Sequence, residues 1–320
     1  MMPSSAVQTF TDPEKYAMEW RAHGTALEKR VSLGRGSFAG KFTKITFDKV
    51  WMARLSESLP RVHNATHFID RAGFNFLFDP SCGLIANGVE ILPAEIRWRG
   101  VNEDYYQRTT GPLELGGISL PVEYITSVGA TVTGRDLTPP QRGLTFTPAP
   151  LAMTKLRRLH SAAGALAEEA PAVLAHPEAA RGLEQALIDA VLDCLGDGEI
   201  EEDRTAQRQH AAIMRRFHRV VEENSDQALF ITEICKEVGA STRTLNVCCQ
   251  EHLGMAPKHY LLLRRMHMVR RALRESTPTE TTVTEIATRY GFWQFGRLAG
   301  EYRSLFGEAP SATLGRPPHH

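Results

Sequence analysis

The sequence is short of cysteine, of long apolar runs and of net charge, and each shortage removes a class of protein. Only five cysteines, Cys82, Cys194, Cys235, Cys248 and Cys249, occur in 320 residues. Their number is odd and no CxxC pair is present, which points away from a zinc site or a disulfide framework and toward reduced, mostly buried thiols. No apolar stretch approaches the roughly eighteen residues that cross a bilayer, so no membrane partner is expected. The N-terminal MMPSSAVQTF has no basic segment leading into an apolar one. It does not read as a secretory signal, and the expected compartment is the cytoplasm. Lys and Arg total 37 and Asp and Glu total 37, so the whole chain makes no electrostatic case for a polyanionic partner.

Catalytic constellations are scarce as well. His63 and His67, with Asp70 three residues on, form HxxxH, which would put both imidazoles on one face of a helix. Asn64 stands where a HExxH metalloprotease carries its glutamate base, however, and the surroundings read as loop and strand. The His-x-His and Glu set of metal-holding cupins is missing too. The chain is therefore expected not to be an enzyme: no catalytic residue, no metal and no cofactor is assigned, and any effector-binding residues stay unidentified.

What is present divides the chain into three. Residues 1–150 form a β-rich domain, expected to be mainly antiparallel and to serve as a sensor or dimerisation module. From Val31 onward short β-rich runs alternate with Gly, Pro and Asn. Phe74, Phe76 and Phe78 fall on one face at the strand period of two. Asn87-Gly88, between two apolar runs, favours a type I′ hairpin turn. Pro139, Pro140, Pro148 and Pro150 close the domain, and Ala, Leu, Glu and Arg then take over. Residues 151–208 read as a helical hairpin and linker. Leu156, Leu159, Ala163 and Leu166 recur at helical spacing, as do Leu183, Leu187, Val191 and Cys194 or Leu195. Those stripes suit packing against the β domain and a dimer interface equally. The acidic Gly196–Arg204 follows as a linker. Overall the fold class is α+β, with an all-α third domain over residues 209–316.

That third domain contains an internal repeat. Ile231–Gly239 (ITEICKEVG) matches Val283–Gly291 (VTEIATRYG) at an offset of 52, and the match resumes at 53, pairing Leu245 with Leu298, Gly254 with Gly307 and Pro257 with Pro310. One residue is inserted in the second turn. In each copy a short helix ends at a Gly suited to the left-handed conformation and a second helix follows, which is helix-turn-helix grammar. Thr282 and Glu285 form a capping box in the second copy, whereas Phe230 occupies that place in the first. The segment Lys258–Glu275 reads as one helix of roughly 27 Å joining the units, long enough to place them near successive major grooves. Lys258, Arg264, Arg265, Arg270, Arg271 and Arg274 lie along it, suited to phosphates or to salt bridges. The charge distribution agrees mildly: residues 211–320 hold 15 Lys and Arg against 11 Asp and Glu.

With Leu245 and Cys249 inward, Arg243, Asn246, Val247 and Gln250 lie on the opposite face of the first recognition helix, and Thr242 opens it. With Leu298, Tyr302 and Leu305 inward, Gln294, Arg297, Gly300 and Ser304 face outward in the second, with Gly296 and Arg303 beside them. Arg pairs bidentately with guanine, Asn or Gln with adenine, and Val can touch a thymine methyl, so these eleven are the candidate DNA-binding residues. Arg297 is the leading one. Gly300 inside a helix costs about 1 kcal/mol relative to Ala, which fits either close approach to DNA or a tolerated surface glycine.

These residues resemble the AraC/XylS family of bacterial transcription regulators over about Phe217–Arg316. In GFWQFGRLAGEYRSLFGEAPS (Gly291–Ser311), Phe292, Leu298, Tyr302, Gly307 and Pro310 fill the family's signature places, and Tyr260 and Arg265-Met266 match in the joining helix. The resemblance implies a paired helix-turn-helix domain that binds double-stranded promoter DNA, in a homodimer, and activates transcription through RNA polymerase. Cys249 departs from a place usually aromatic, and Val247 from one where a base-contacting Arg is common. Specific recognition is therefore expected to lean on the second unit. The front half is similar to sensor domains of a subgroup that includes ethanolamine-operon regulators, through Leu33-Gly34-Arg35-Gly36, Phe38-Ala39-Gly40 and Asn87-Gly88. That similarity implies a small-molecule effector or dimerisation, and no ligand residue is carried over. The expected function is a sequence-specific activator responding to such an effector; the alternative is a ligand-independent dimeric repressor or architectural protein.

Overall fold

Strand alternation in the N-terminal half produces two sheets that face each other. The computed structural model describes all residues except 1–2, 22–24, 35, 68–69, 80, 102–103, 197–198, 201–204, 225–228, 230 and 317–320. Arg35, Phe230 and most of the acidic linker thus lie outside the described residues. The strands are β1 (Ser4–Phe10), β2 (Thr25–Ser32), β3 (Gly40–Thr46), β4 (Trp51–Glu57), β5 (Arg61–His67), β6 (Arg71–Leu77), β7 (Leu84–Ala86), β8 (Val89–Ile91), β9 (Ile96–Trp98), β10 (Asp104–Thr109), β11 (Leu113–Pro121), β12 (Leu144–Thr147) and β13 (Glu199–Ile200). One sheet runs β1-β3-β4-β11-β6-β9-β12-β13 and the other β2-β5-β10-β7-β8. All of these pairings are antiparallel, as expected. Asn87 (φ 51°) and Gly88 (φ 80°) make the β7–β8 turn with positive φ at both central residues, as the dipeptide predicted.

The N-terminal half also contains two helices: α1 (Pro13–Arg21), ahead of the runs read as β, and α2 (Val122–Thr133), within them. The β-branched run of α2 misleads because burial overrides propensity. Ile125 joins the core and Gly134 ends the helix at φ 67°. The helical hairpin is α3 (Pro150–Glu169) and α5 (Pro177–Gly196), with the short α4 (Pro171–Ala175) between them. Its apolar stripes, with Leu156, Ala163, Leu187, Val191 and Cys194, share one core with Ile45, Met52, Phe74, Phe76 and Ile118 of the larger sheet. Those stripes are therefore used in packing on the sheet. Glu184 of α5 accepts from the backbone N–H groups of Lys49 and Val50 (2.6 and 2.9 Å), tying the hairpin to the β3–β4 turn. His160 of α3 is fully buried, its Nε2 donating toward the carbonyls of Ala53 and Gly117 (3.1 and 3.4 Å).

The inner face of the larger sheet meets the smaller one through Leu55, Leu77, Leu115, Leu84, Ala86 and Ile91. Beside this apolar filling lies a buried ion pair: Arg61 Nε donates to Glu57 Oε2 (3.1 Å), both side chains wholly covered, and Arg61 Nη2 donates to Gln107 Oε1 (2.7 Å). His63 and His67 lie on β5, so HxxxH spans about 13 Å of extended chain and not one helical turn.

The C-terminal half is helical: α6 (Thr205–Glu223), α7 (Ile231–Val238), α8 (Thr242–Leu253), α9 (Pro257–Glu275), α10 (Val283–Arg289), α11 (Phe295–Phe306) and α12 (Pro310–Leu314). Ile213, Met214, Phe217, Val220 and Val221 of α6 pack with Ile234, Val238, Leu245, Cys248, Cys249, Leu253 and Tyr260. Met266, Val269 and Leu273 of α9 pack with Ile286, Phe292, Leu298, Tyr302, Leu305 and Leu314. Helix α9 belongs to both clusters. Val31, Val62 and Tyr106, on the outer face of the smaller sheet, also join the first of them. That sheet is covered on both faces, by the β core within and by the helical half without.

Candidate nucleic-acid interface

Each short helix ends at a left-handed glycine, Gly239 at φ 67° and Gly291 at φ 76°, before its second helix begins. Ser241 caps α8 by accepting from Thr244 N–H (3.1 Å). The capping box of α10 forms as read: Thr282 Oγ1 accepts from Glu285 N–H (3.2 Å) and Glu285 Oε2 from Thr282 N–H (2.8 Å). Gly254 and Gly307 end the second helices at φ 69° and 76°.

Two outward rows result. On α8, Thr242, Arg243, Val247 and Gln250 are exposed and Asn246 is half-buried, while Leu245, Cys248, Cys249 and Leu253 point inward. Asn246 spends one amide proton on its own helix, donating to the Thr242 carbonyl (2.8 Å). On α11 and the turn before it, Gln294, Gly296, Arg297, Gly300 and Arg303 are exposed and Ser304 is half-buried, while Leu298, Tyr302 and Leu305 point inward. Arg297 reaches Glu301 one turn on (2.8 Å) with 70% of its side chain exposed, a pair worth about 0.3–0.5 kcal/mol and easily exchanged for another acceptor. A Cβ at Gly296 or Gly300 would meet nothing within 4 Å, so no neighbour inside the molecule requires either glycine.

The outward periodicity missed two residues. Trp293 is 74% exposed and Phe295 is 39% exposed at the entrance to α11. The available signal was the one-residue insertion in the second turn, which pushes an aromatic out where the first unit has Ala240 and Ser241. Large exposed aromatics beside a row of polar residues mark a surface that meets a partner.

Of the two roles open to the arginines of the joining helix, the structure shows intramolecular pairing for several. Arg264 is buried, donates to the Val221 carbonyl (2.8 Å) and lies 3.9 Å from Glu222. Arg265 stacks over Phe292 and Arg270 over Phe306, the latter also pairing with Glu308 at 3.7 Å. Arg274 pairs with Asp12 and with Glu14 of α1. Burial works against the charge of Asp12, yet the Arg274 hydrogen bond and charge outweigh it and hold that carboxyl below its usual range. Only Lys258 and Arg271 of the six are exposed. The helix itself runs 19 residues, starting one residue earlier than the sequence indicated.

The β domain docks away from the outward rows. Tyr106 stacks on His218 of α6 at 4.1 Å, and Arg108 lies against Gly254 at the end of α8. The exposed face of α8 remains open. Cys248 and Cys249 are inaccessible; burial pushes Cys82 and Cys248 up to about 11, Cys194 up to about 12 and Cys249 further still. A thiol-reactive probe under native conditions is expected to label Cys235 and to leave these four slow, becoming fast only on unfolding. Prompt labelling of Cys248 or Cys249 would refute this packing. Among the described residues, no three His, Cys, Asp or Glu side chains are grouped to hold a metal ion, and no helix is long and apolar enough to cross a membrane.

Two helix-turn-helix units, each with its own core and sharing one long helix, define a paired DNA-binding domain. The family model described as a helix-turn-helix domain matches residues 234–316. The chain is 40% identical over 94 residues to the probable thc operon regulatory protein of Rhodococcus erythropolis, covering 29% of this chain and 28% of that protein. It is 38% identical over 103 residues to the XylDLEGF operon transcriptional activator 3 of Pseudomonas putida, covering 31% of each. The chain thus matches about three tenths of the length of these relatives. Among solved structures, the AraC-like transcriptional activator CuxR aligns over 97% of this chain and 99% of its own, with 14% identity and a TM-score of 0.42. Through this domain the chain is similar to transcription regulators of the AraC/XylS type.

Proposed function

We propose that the protein is a sequence-specific transcription activator that binds promoter DNA through α8 and α11 and answers to a small-molecule effector through its β domain. The two outward rows carry this reading: polar and guanidinium groups at consecutive helical turns, facing away from both cores, in the geometry that places a helix in the major groove. Trp293 and Phe295 extend the second row with apolar surface for thymine methyls. Gly296 and Gly300, which nothing inside the molecule requires, suit close approach of α11 to the duplex. Docking of the sensor sheet on α6 and α8 supports a route from effector to reader, since a change in the sheet bears directly on the core of the first unit. Homodimerisation, contact with RNA polymerase and residence in the cytoplasm complete the reading. With the hairpin stripes used in packing, a dimer would use other surface, and Leu151 of α3, 85% exposed, is available for it.

Genome-wide mapping of bound sites tests the core of the proposal, since specific binding requires a recurrent motif of two adjacent segments. Arg297→Ala is expected to weaken binding to that motif by about 1–3 kcal/mol and to relax one base preference. Equal losses on specific and random DNA would remove Arg297 from base reading. A bound motif lying where it blocks transcription, with no effector response, would favour the repressor alternative.

A further inference from the structure

The face of α6 turned away from its apolar stripe carries a run of arginines. Ala212, Arg215, Arg216, Arg219 and Glu222 recur at three- and four-residue steps and so share one side of the helix. They form one wall of a cavity of about 540 Å³, and Asn64 of β5 and Tyr106 of β10 form the other. Small-molecule sites commonly measure roughly 300–1,000 Å³ and lie at domain interfaces, as this one does.

Three guanidiniums at such steps repel one another. None of Arg215, Arg216 and Arg219 has a hydrogen-bond or ion-pair partner among the described residues, and the wall's one carboxylate, Glu222, lies 3.9 Å from Arg264. We propose that this crevice binds a small organic dianion, a phosphate ester or a dicarboxylate, gripped by Arg215, Arg216 and Arg219 against the Tyr106 wall. Planar guanidinium forks match the oxygen spacing of both anions, and two negative charges balance three arginines and one glutamate. The site is distinct from the DNA-reading rows, because α6 carries none of them and the opposite wall belongs to the β domain. Its location gives occupancy a consequence. Tyr106 stacks on His218, whose ring lies 5.6 Å from those of Phe217 and Tyr260, so a ligand here bears on the contact joining sensor and first reading unit. The proposal rests on the effector reading above and gives the effector a site and a charge.

The test uses the full chain, with inorganic pyrophosphate and citrate as probes against sodium chloride at equal ionic strength. Millimolar pyrophosphate or citrate is expected to raise the melting temperature by about 3 °C or more. The rise should fall at least by half in Arg215→Gln/Arg219→Gln and in Ala212→Glu, which keeps every arginine and adds a cancelling carboxylate. Circular dichroism establishes that each variant folds, and the second serves if the first does not. No rise in the wild type, or the same rise in the variants, overturns the site. So does a fall in the salt dependence of random-DNA binding in the arginine variant, which would assign these groups to the phosphate backbone. A metabolite that stabilises wild type and Ala212→Glu equally would place the effector elsewhere, sinking this site while leaving the effector reading intact.

Discussion

Glu57→Leu is expected to cost about 3–5 kcal/mol of stability, because it strands the Arg61 guanidinium inside the β core. Both side chains of the pair are fully covered, and the neutral Gln107 amide that accepts from Arg61 does not balance its charge. The double variant Glu57→Leu/Arg61→Met should recover most of the loss, since replacing both members leaves neither charge buried. Urea melts of the three proteins measure this directly, and a single-variant loss below about 1 kcal/mol would mean that water reaches the pair. Functional cost should accompany the structural one. Arg61 sits on the inner face of β5 while Val62, its neighbour, packs with the first helix-turn-helix core, so loosening the strand loosens the docking of the reading domain.

Acid should destabilise the protein through His160. Burial pulls its imidazole down to about 4, with the Gly117 and Ala53 carbonyls opposing and the nearby Arg54 charge adding to the fall. In the unfolded chain the same ring takes a proton near its ordinary 6.5. Between these values the unfolded state binds the extra proton, so stability is full above pH 6.5 and declines as the pH falls toward 4, by about 3 kcal/mol in all. Burial also pulls the His252 imidazole down, so the informative quantity is the difference between wild type and His160→Gln, whose amide can still donate to the two carbonyls. That difference should shrink as the pH falls from 6.5 to 4. A constant difference across the window would show that His160 is charged or solvated in the fold.

The C-terminal half was far more legible from sequence than the N-terminal half, for physical reasons that particular residues show. Helix periodicity, the Thr282–Glu285 box and the glycines at 239, 254, 291 and 307 are local signals, and each forms where the sequence places it. In the β domain the legible pieces were also local: the Phe74–Phe76 alternation and the Asn87-Gly88 turn. Helix α2 was hidden because its β-branched residues say strand, while its helical form follows from the packing of Ile125 against distant elements. The roles of the spacer arginines stayed open for the same reason, since the partners of Arg264 and Arg274, Val221 and Asp12, are remote in sequence. At the candidate interface, outward positions followed from inward ones by simple periodicity. Trp293 escaped because it lies in a turn, where periodicity carries no information. The arginine-lined crevice could not be foreseen at all: its second wall comes from strands more than a hundred residues away.

The joining helix α9 contributes side chains to the cores of both helix-turn-helix units. A protein built this way has no joint between its two readers, because any change in their separation would have to tear an apolar cluster. Adjustment to an operator must then come from the duplex, which bends or twists to bring both grooves to a fixed gauge. The base pairs between the two contacted segments, touched by no side chain, would be selected by how readily they deform.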